Sequence, residues 1–266
     1  MSPPPVLAEG LAVGFDGHAV LSGVDLRLER GTVLALVGTN GSGKTTLLST
    51  LAGLLAPVGG LVSVLGGAPG SVPTRVAYLR QLHARDFVLP MRARDVVAMG
   101  RYARLGRLRR AGAGDRDAVD GALTRMGLTD LAEAPLGELS GGQRQRVYLA
   151  QALAWEADLV LLDEPAAALD PSARALLARA VVEETDRGAA VVLATHDVGE
   201  ALRADQAMVL AGRVVSAGPS RQALSRDALL AAFGLGVLEG PDGHLVAVDP
   251  GHGHDHEHDH ADSGAP

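Results

Sequence analysis

One octapeptide constrains this chain more than any other feature. Gly38-Thr39-Asn40-Gly41-Ser42-Gly43-Lys44-Thr45 fits G-x-x-x-x-G-K-[ST]. It follows Val33–Val37, an apolar run that reads as a fully buried strand. It opens Lys44–Ala56, which reads as a helix stopped by Pro57. Strand, glycine-rich turn and helix in that order describe a phosphate-binding loop. The glycines let backbone N–H groups wrap an anion, and the helix N-terminus adds its positive end. Lys44, the one lysine of the chain, is expected to reach the β and γ phosphates, and the Thr45 hydroxyl to ligate Mg²⁺. Thr46 completes the candidate nucleotide contacts.

Two further elements point to the same chemistry. Leu159–Leu162 is an apolar strand that ends in Asp163 and Glu164. Carboxylates are expensive at such a place unless a cation pairs with them. Asp163 is therefore expected to hold Mg²⁺ and Glu164 to polarise an attacking water, with the phosphate loop on a neighbouring strand. The third element is Leu139-Ser140-Gly141-Gly142-Gln143, ahead of a helix over Gln143–Leu153. Ser140 is placed to cap that helix, and Gly141 and Gly142 permit close backbone approach, so its N-terminus is a second anion site.

The rest of the chain sets these motifs in an α/β frame. Val6–Val13 and Val20–Leu28 flank a Phe15-Asp16-Gly17 turn signal. Pro171–Arg187 reads as a helix with proline in its first turn, Ala189–Ala194 as a strand, and 209–217 as a last hairpin around Gly212. Strands alternating with helices predict a parallel sheet. Between Gln81 and Leu139, arginines at 92, 94, 101, 104, 107, 109 and 110 mix with apolar residues at helical spacing. This predicts a mostly helical insertion, with a loop at 111–114 and a helix over 116–126. The arginines form either a solvated face or a contact with a membrane partner or anionic headgroups. Thr45–Thr74 carries no charged residue, but prolines and glycine pairs cut it too short to span a bilayer, and it reads as a helix followed by a buried hairpin.

Composition narrows the function. The absence of cysteine excludes disulfides, thiolate metal sites and cysteine nucleophiles. The formal net charge is −7, of which Asp255, Glu257, Asp259 and Asp262 supply four, leaving a body near −3. That balance argues against nucleic acid as a partner. Met1–Gly10 lacks the basic start of a secretory signal.

With all three motifs in this order, the chain resembles the nucleotide-binding subunit of ATP-binding-cassette (ABC) transporters over about residues 6–236. The resemblance implies a P-loop NTPase-type parallel core with an N-terminal antiparallel part and a helical insertion at about 82–139. A short extension (237–250) and a disordered tail (251–266) would follow. It implies that Phe15 stacks on adenine, where the family more often has tyrosine. It implies that Gln81 senses Mg²⁺ and the water, that Asp170 crosses the dimer, and that His196 holds the γ-phosphate. Taken singly, Phe15 could be a core aromatic, Gln81 a surface residue, Asp170 the cap of the next helix, and His196 a cap working through Glu200. The resemblance further implies ATP and Mg²⁺ as ligands, with two copies sandwiching two ATP molecules and Ser140 and Gly142 closing on the partner's γ-phosphate. The partners would be a multi-span permease and, indirectly, an extracytoplasmic substrate-binding protein, at the cytoplasmic face of the membrane.

The segment after Gln81 resembles subunits of bacterial zinc and manganese importers, and similar wording occurs in the iron-chelate and cobalamin branch. The loop Ala166-Ala167-Ala168-Leu169-Asp170 is the generic form, where metal importers usually carry Gly-Val-Asp. His252, His254, His256, His258 and His260 alternate with Gly, Asp and Glu, a donor set that suits Zn²⁺ or Ni²⁺. A solvated charged tail is the plainer alternative. The expectation is an ATPase powering uptake of a divalent metal, zinc first and manganese next. A siderophore or cobalamin importer, or a soluble ABC ATPase, is the alternative.

Overall fold

The computed structural model describes residues 3–81, 90–105 and 111–233, with backbone alone for 103–105, 237–239 and 245–247. β1 (Val6–Phe15) and β2 (His18–Leu28) form a hairpin. Asp16 and Gly17 both take positive φ, 50° and 79°, as a two-residue turn matched to strand twist requires. β3 (Val33–Gly38) then runs into α1 (Lys44–Leu51). The helix stops well before Pro57, because Gly53 takes φ 77° and lies against the backbone of Gly70, where a Cβ would come within 2.3 Å. It is a glycine C-cap in the usual sense.

After α1, the expected buried hairpin is instead one half-exposed strand, β4 (Gly59–Val64), added antiparallel to the free side of β1. β5 (Val76–Leu79), not expected from the sequence, precedes the insertion. Its described helices are α2 (Ala93–Leu105) and α3 (Ala113–Arg125). α3 begins earlier than expected because the Asp115 carboxylate accepts from the Gly112 N–H at 2.9 Å. α4 (Gly141–Ala154), β6 (Leu159–Asp163), α5 (Pro171–Asp186) and β7 (Ala190–Thr195) follow, close to their predicted bounds. The chain continues through α6 (Val198–Ala201), β8 (Gln206–Leu210), β9 (Val214–Pro219), α7 (Ser220–Ala223), α8 (Arg226–Phe233) and a small hairpin of β10 (Val237–Glu239) and β11 (Leu245–Ala247).

The main sheet has the order β5-β6-β7-β3-β8-β9, with only β9 antiparallel. Its central strands are buried on both faces, which is why β3, β6 and β7 read as unbroken apolar runs. Period-two alternation sorts their side chains into separate cores. Leu34, Leu36, Leu159 and Leu161 meet α1 and the antiparallel sheet β2-β1-β4. Val160 and Leu162 meet α4, α5 and the insertion. Ala35 and Val37 meet α6, α7 and α8. The phosphate loop and the Asp163–Glu164 pair therefore sit at the carboxyl ends of buried strands, while Ser140 opens α4. Among the described residues no helix is long and apolar enough to cross a membrane.

Candidate active site

The phosphate loop is shaped by close contacts at its ends. A Cβ on Gly38 would lie 2.3 Å from the Leu210 carbonyl oxygen and 2.7 Å from Ser42 Oγ. Gly43 takes φ 101° with Leu21 against it. Inside the loop, Lys44 Nζ donates to the carbonyls of Gly38 (2.7 Å) and Thr39 (3.0 Å) and lies 3.9 Å from Glu164 Oε1. Burial pulls the ammonium below the usual lysine range, and Glu164 and Asp163 pull it back. Ser42 Oγ, packed against Gly38, is buried with no hydrogen-bond partner.

β6 carries the carboxylates. It is one strand removed from the phosphate-loop strand rather than its neighbour, because β7 lies between them. Asp163 is 1% exposed and neither carboxylate oxygen has a hydrogen-bond partner. Burial pushes its pKa up. The nearby Thr45 hydroxyl draws it down without meeting hydrogen-bond geometry, Glu164 raises it again, and Lys44 and Arg80 lower it. Glu164 has φ 48°, unusual for a residue with a side chain, fixed by its N–H donating to the Ala194 carbonyl at 3.0 Å. Its Oε2 accepts from Gln81 Nε2 at 3.0 Å and lies 3.8 Å from His196 Nδ1. Lys44, Gln81, Glu164 and His196 thus converge from α1, β5, β6 and β7.

His196 is not a helix cap. Asp197 caps α6 by accepting from the Glu200 N–H at 3.1 Å, which leaves the imidazole 64% exposed beside Glu164. Behind it, Thr195 Oγ1 donates to Glu200 Oε2 at 2.6 Å and accepts from the Asp197 N–H at 3.0 Å. Phe15 is 52% exposed at the β1–β2 tip, so it is no core residue. Gln81 is bonded to Glu164, so it is no idle surface residue.

The second anion motif folds as expected and stands apart. Ser140 Oγ accepts from the Gln143 N–H (3.2 Å), and the Gln143 side chain returns to the Ser140 N–H (2.8 Å), a full capping box. Gly142 lies under the Ala168 carbonyl, at 3.0 Å from a built Cβ, while Gly141 has open space. Asp170 caps α5 through the Ala173 N–H (2.8 Å) and takes the Ser172 hydroxyl (2.6 Å). These two bonds hold its carboxyl below the usual range. Neither Ser140 nor Asp170 bonds to the Lys44 cluster. Gln145, which no motif singles out, links the two regions: its buried side chain donates to the Pro165 carbonyl at 2.9 Å, next to Glu164.

With this geometry in hand, the chain matches the ABC transporter family over residues 21–167, more than half its length. It belongs to the ABC transporter ATP-binding family. As an ABC ATPase it is 33% identical over 231 residues to the manganese transport system ATP-binding protein of Bacillus subtilis (strain 168), covering 86% of this chain and 92% of that protein. It is 35% identical over 240 residues to the chelated iron transport system protein of Yersinia pestis, covering 88% and 80%. A metal-chelate type ABC transporter in an inward-facing conformation superposes with a TM-score of 0.76 at 26% identity, covering 92% of this chain and 98% of that one.

Membership of this family implies Mg²⁺, and the ABC ATPase has fitting groups for it. A buried carboxylate with both oxygens unpartnered, beside a hydroxyl, is a hard-oxygen donor set of the kind this ion takes. The described residues contain no cluster of three or more His, Asp and Glu placed to hold a metal. The tail histidines, the side chain of Arg104, and arginines 107, 109 and 110 lie outside the described residues. Of the other insertion arginines, Arg92 and Arg94 pair with Glu133, Arg94 also reaches Asp120, and Arg101 is buried. Arg92 and Arg94 make their pairs at the surface, and only Arg101 is held inside.

Proposed function

We propose that this ABC ATPase powers uptake of a divalent metal ion through a partner membrane permease, from the cytoplasmic face of the membrane. The single observation that carries the catalytic half is the convergence of Lys44, Gln81 and His196 on Glu164, beside the unpartnered Asp163. The metal half is supported by relatives named for manganese and chelated iron transport.

Two copies clamp two ATP molecules. Phe15 stacks on the base, and the loop Gly38–Thr46 takes the phosphates, with Lys44 exchanging the Gly38 and Thr39 carbonyls for phosphate oxygens. Thr45, Asp163 and Gln81 would hold Mg²⁺, which supplies charge neutralisation at the β and γ phosphates. Ser140, Gly141, Gly142 and Gln143 of one copy close on the γ-phosphate bound by the other, and Asp170 crosses between them. Glu164 orients the attacking water and takes its proton, held in place by Gln81. His196 donates to the γ-phosphate. The water oxygen bonds to phosphorus as the bond to the β–γ bridging oxygen breaks, leaving ADP and phosphate. Positioning and charge neutralisation account for most of such a rate enhancement. Parting of the copies then drives the permease, to which an extracytoplasmic binding protein delivers the ion.

Zinc is favoured over manganese by the histidine-rich tail alone, and manganese by the relatives. Reconstitution with the permease in vesicles tests the reading. ATP-dependent accumulation of ⁵⁴Mn²⁺ or ⁶⁵Zn²⁺, lost in Glu164→Gln, is expected. Movement of a ferric chelate in place of either ion shifts the assignment to the chelate branch. ATP turnover that permease never stimulates, with no ion moved, overturns it.

A further inference from the structure

A second set of charges lies at the other end of the sheet from Lys44, around the entry to β6. Arg101 of α2, almost fully buried, donates through Nε to Asp115 near the start of α3 (3.1 Å). Its Nη1 reaches Glu156 just after α4 (2.7 Å) and the carbonyl of Ala154, the last residue of α4 (2.8 Å). Arg187, which closes α5, donates to the Glu156 and Ala157 carbonyls (3.3 and 2.6 Å) and to the Glu184 carboxylate. Glu184 is 2% exposed and also accepts from Arg125 Nη1 at 2.8 Å. Arg125 ends α3, donates to the Ala180 carbonyl at 3.0 Å, and makes an ion pair with Glu183 at 2.7 Å. Asp115 and Arg125 both belong to α3, so the contacts close into a ring through Arg101, Glu156, Arg187 and Glu184.

The ring holds the ends of α4 and α5 opposite to those that carry Ser140 and Asp170. Ser140 caps the start of α4 and Asp170 the start of α5. Helices of 14 and 16 residues put those caps about 20 Å from the ring at 1.5 Å per residue. A change of angle at one end of a rigid helix is amplified at the other. Buried ion pairs add little net stability, because desolvation offsets attraction, whereas their forked geometry fixes orientation. We infer that this ring is the pivot that sets the angle at which Ser140 and Asp170 are presented to a second copy. Arg101, Arg125 and Glu184 are thereby positioning residues for closure of the ATP-bound pair. The inference rests on the sandwich reading above and concerns residues remote from the nucleotide.

The test compares Glu164→Gln full-length protein with the same protein carrying Glu184→Gln, Arg125→Lys or Arg101→Lys. The last two keep the charge and guard against a Glu184 variant that does not fold. Binding of a fluorescent ATP analogue to the monomer and ATP-dependent pairing by sedimentation are measured side by side. Pairing weakened by about tenfold or more, with monomer affinity within about twofold, is the expected split. Unchanged pairing in the folded variants overturns the pivot, as does a parallel fall in both quantities, which marks general loosening. If Glu164→Gln alone never pairs with ATP, the sandwich reading fails and takes the pivot with it.

Discussion

Glu164 is held in a left-handed conformation by a backbone bond to Ala194, with its carboxylate between Gln81, Lys44 and His196. Strain of about 1–3 kcal/mol per such residue persists where the surroundings over-determine it, and here the return is a fixed carboxylate direction. Glu164→Gln keeps size and the Gln81 contact but removes the proton acceptor. ATP should still bind, while steady-state phosphate release falls at least ~100-fold, a barrier rise of roughly 3 kcal/mol. Near-normal release would remove Glu164 from the reaction. Behind His196, burial lifts the Glu200 carboxyl above its ordinary 4.5, opposed by the Thr195 hydroxyl and Arg174 and Arg203, and reinforced by Asp197. A raised native value means that Glu200 contributes stability fully below 4.5, and that this is lost as pH rises through the native value. Glu200→Gln should therefore gain on the wild type as pH is raised from 4.5 to 7 in urea titrations; a constant gap would contradict the burial argument. Lys44, Asp163 and Glu164 were legible because each sits in a short motif whose chemistry follows from its neighbours in sequence. Gln81 and His196 came only with the family resemblance. Thr195, Glu200 and Gln145 were not legible, because their partners are set by strand ends and helix crossings rather than by spacing.

At the level of elements, strands β3, β6 and β7 could be read because both faces are buried and the apolar run is unbroken. β5 could not: it has four residues at the sheet edge, and its Tyr78 hydroxyl turns to Ser49 of α1 at 3.3 Å. The end of α1 is set by Gly53 rather than by Pro57, and the contact of Gly53 with Gly70 depends on the tertiary fold, so local sequence does not mark it. Gly100 is a further case. It lies within α2, where glycine is disfavoured by about 1 kcal/mol against alanine on propensity alone. Here a methyl group would sit 2.3 Å from the Gln151 carbonyl of α4. Overpacking against backbone outweighs propensity, so Gly100→Ala should destabilise by about 1–3 kcal/mol in equilibrium urea unfolding. A stabilised variant would show that α2 and α4 do not cross this closely.

For the molecule as a whole, three apolar cores share one sheet, and the phosphate loop leaves it at the central strand β3. The native fold carries a buried Asp163 carboxylate and a buried Ser42 hydroxyl, both without hydrogen-bond partners. A ligand that satisfies both binds the folded state alone. ATP with Mg²⁺ at a hundredfold excess over its dissociation constant should then add about 2.7 kcal/mol to global stability. Removing Mg²⁺ with EDTA should take away much of that gain, and Lys44→Ala nearly all of it, as read by thermal shift. The His252–His260 segment provides an independent whole-molecule test, because alternating imidazole and carboxylate groups on a short segment are a borderline-metal donor set with no counterpart among the described residues. Calorimetry on the full chain should show micromolar Zn²⁺ binding that vanishes when the five histidines become alanine, with ATP turnover unchanged between the two proteins. Equal binding by both would leave the tail as a solvated acidic segment and remove the one argument for zinc over manganese.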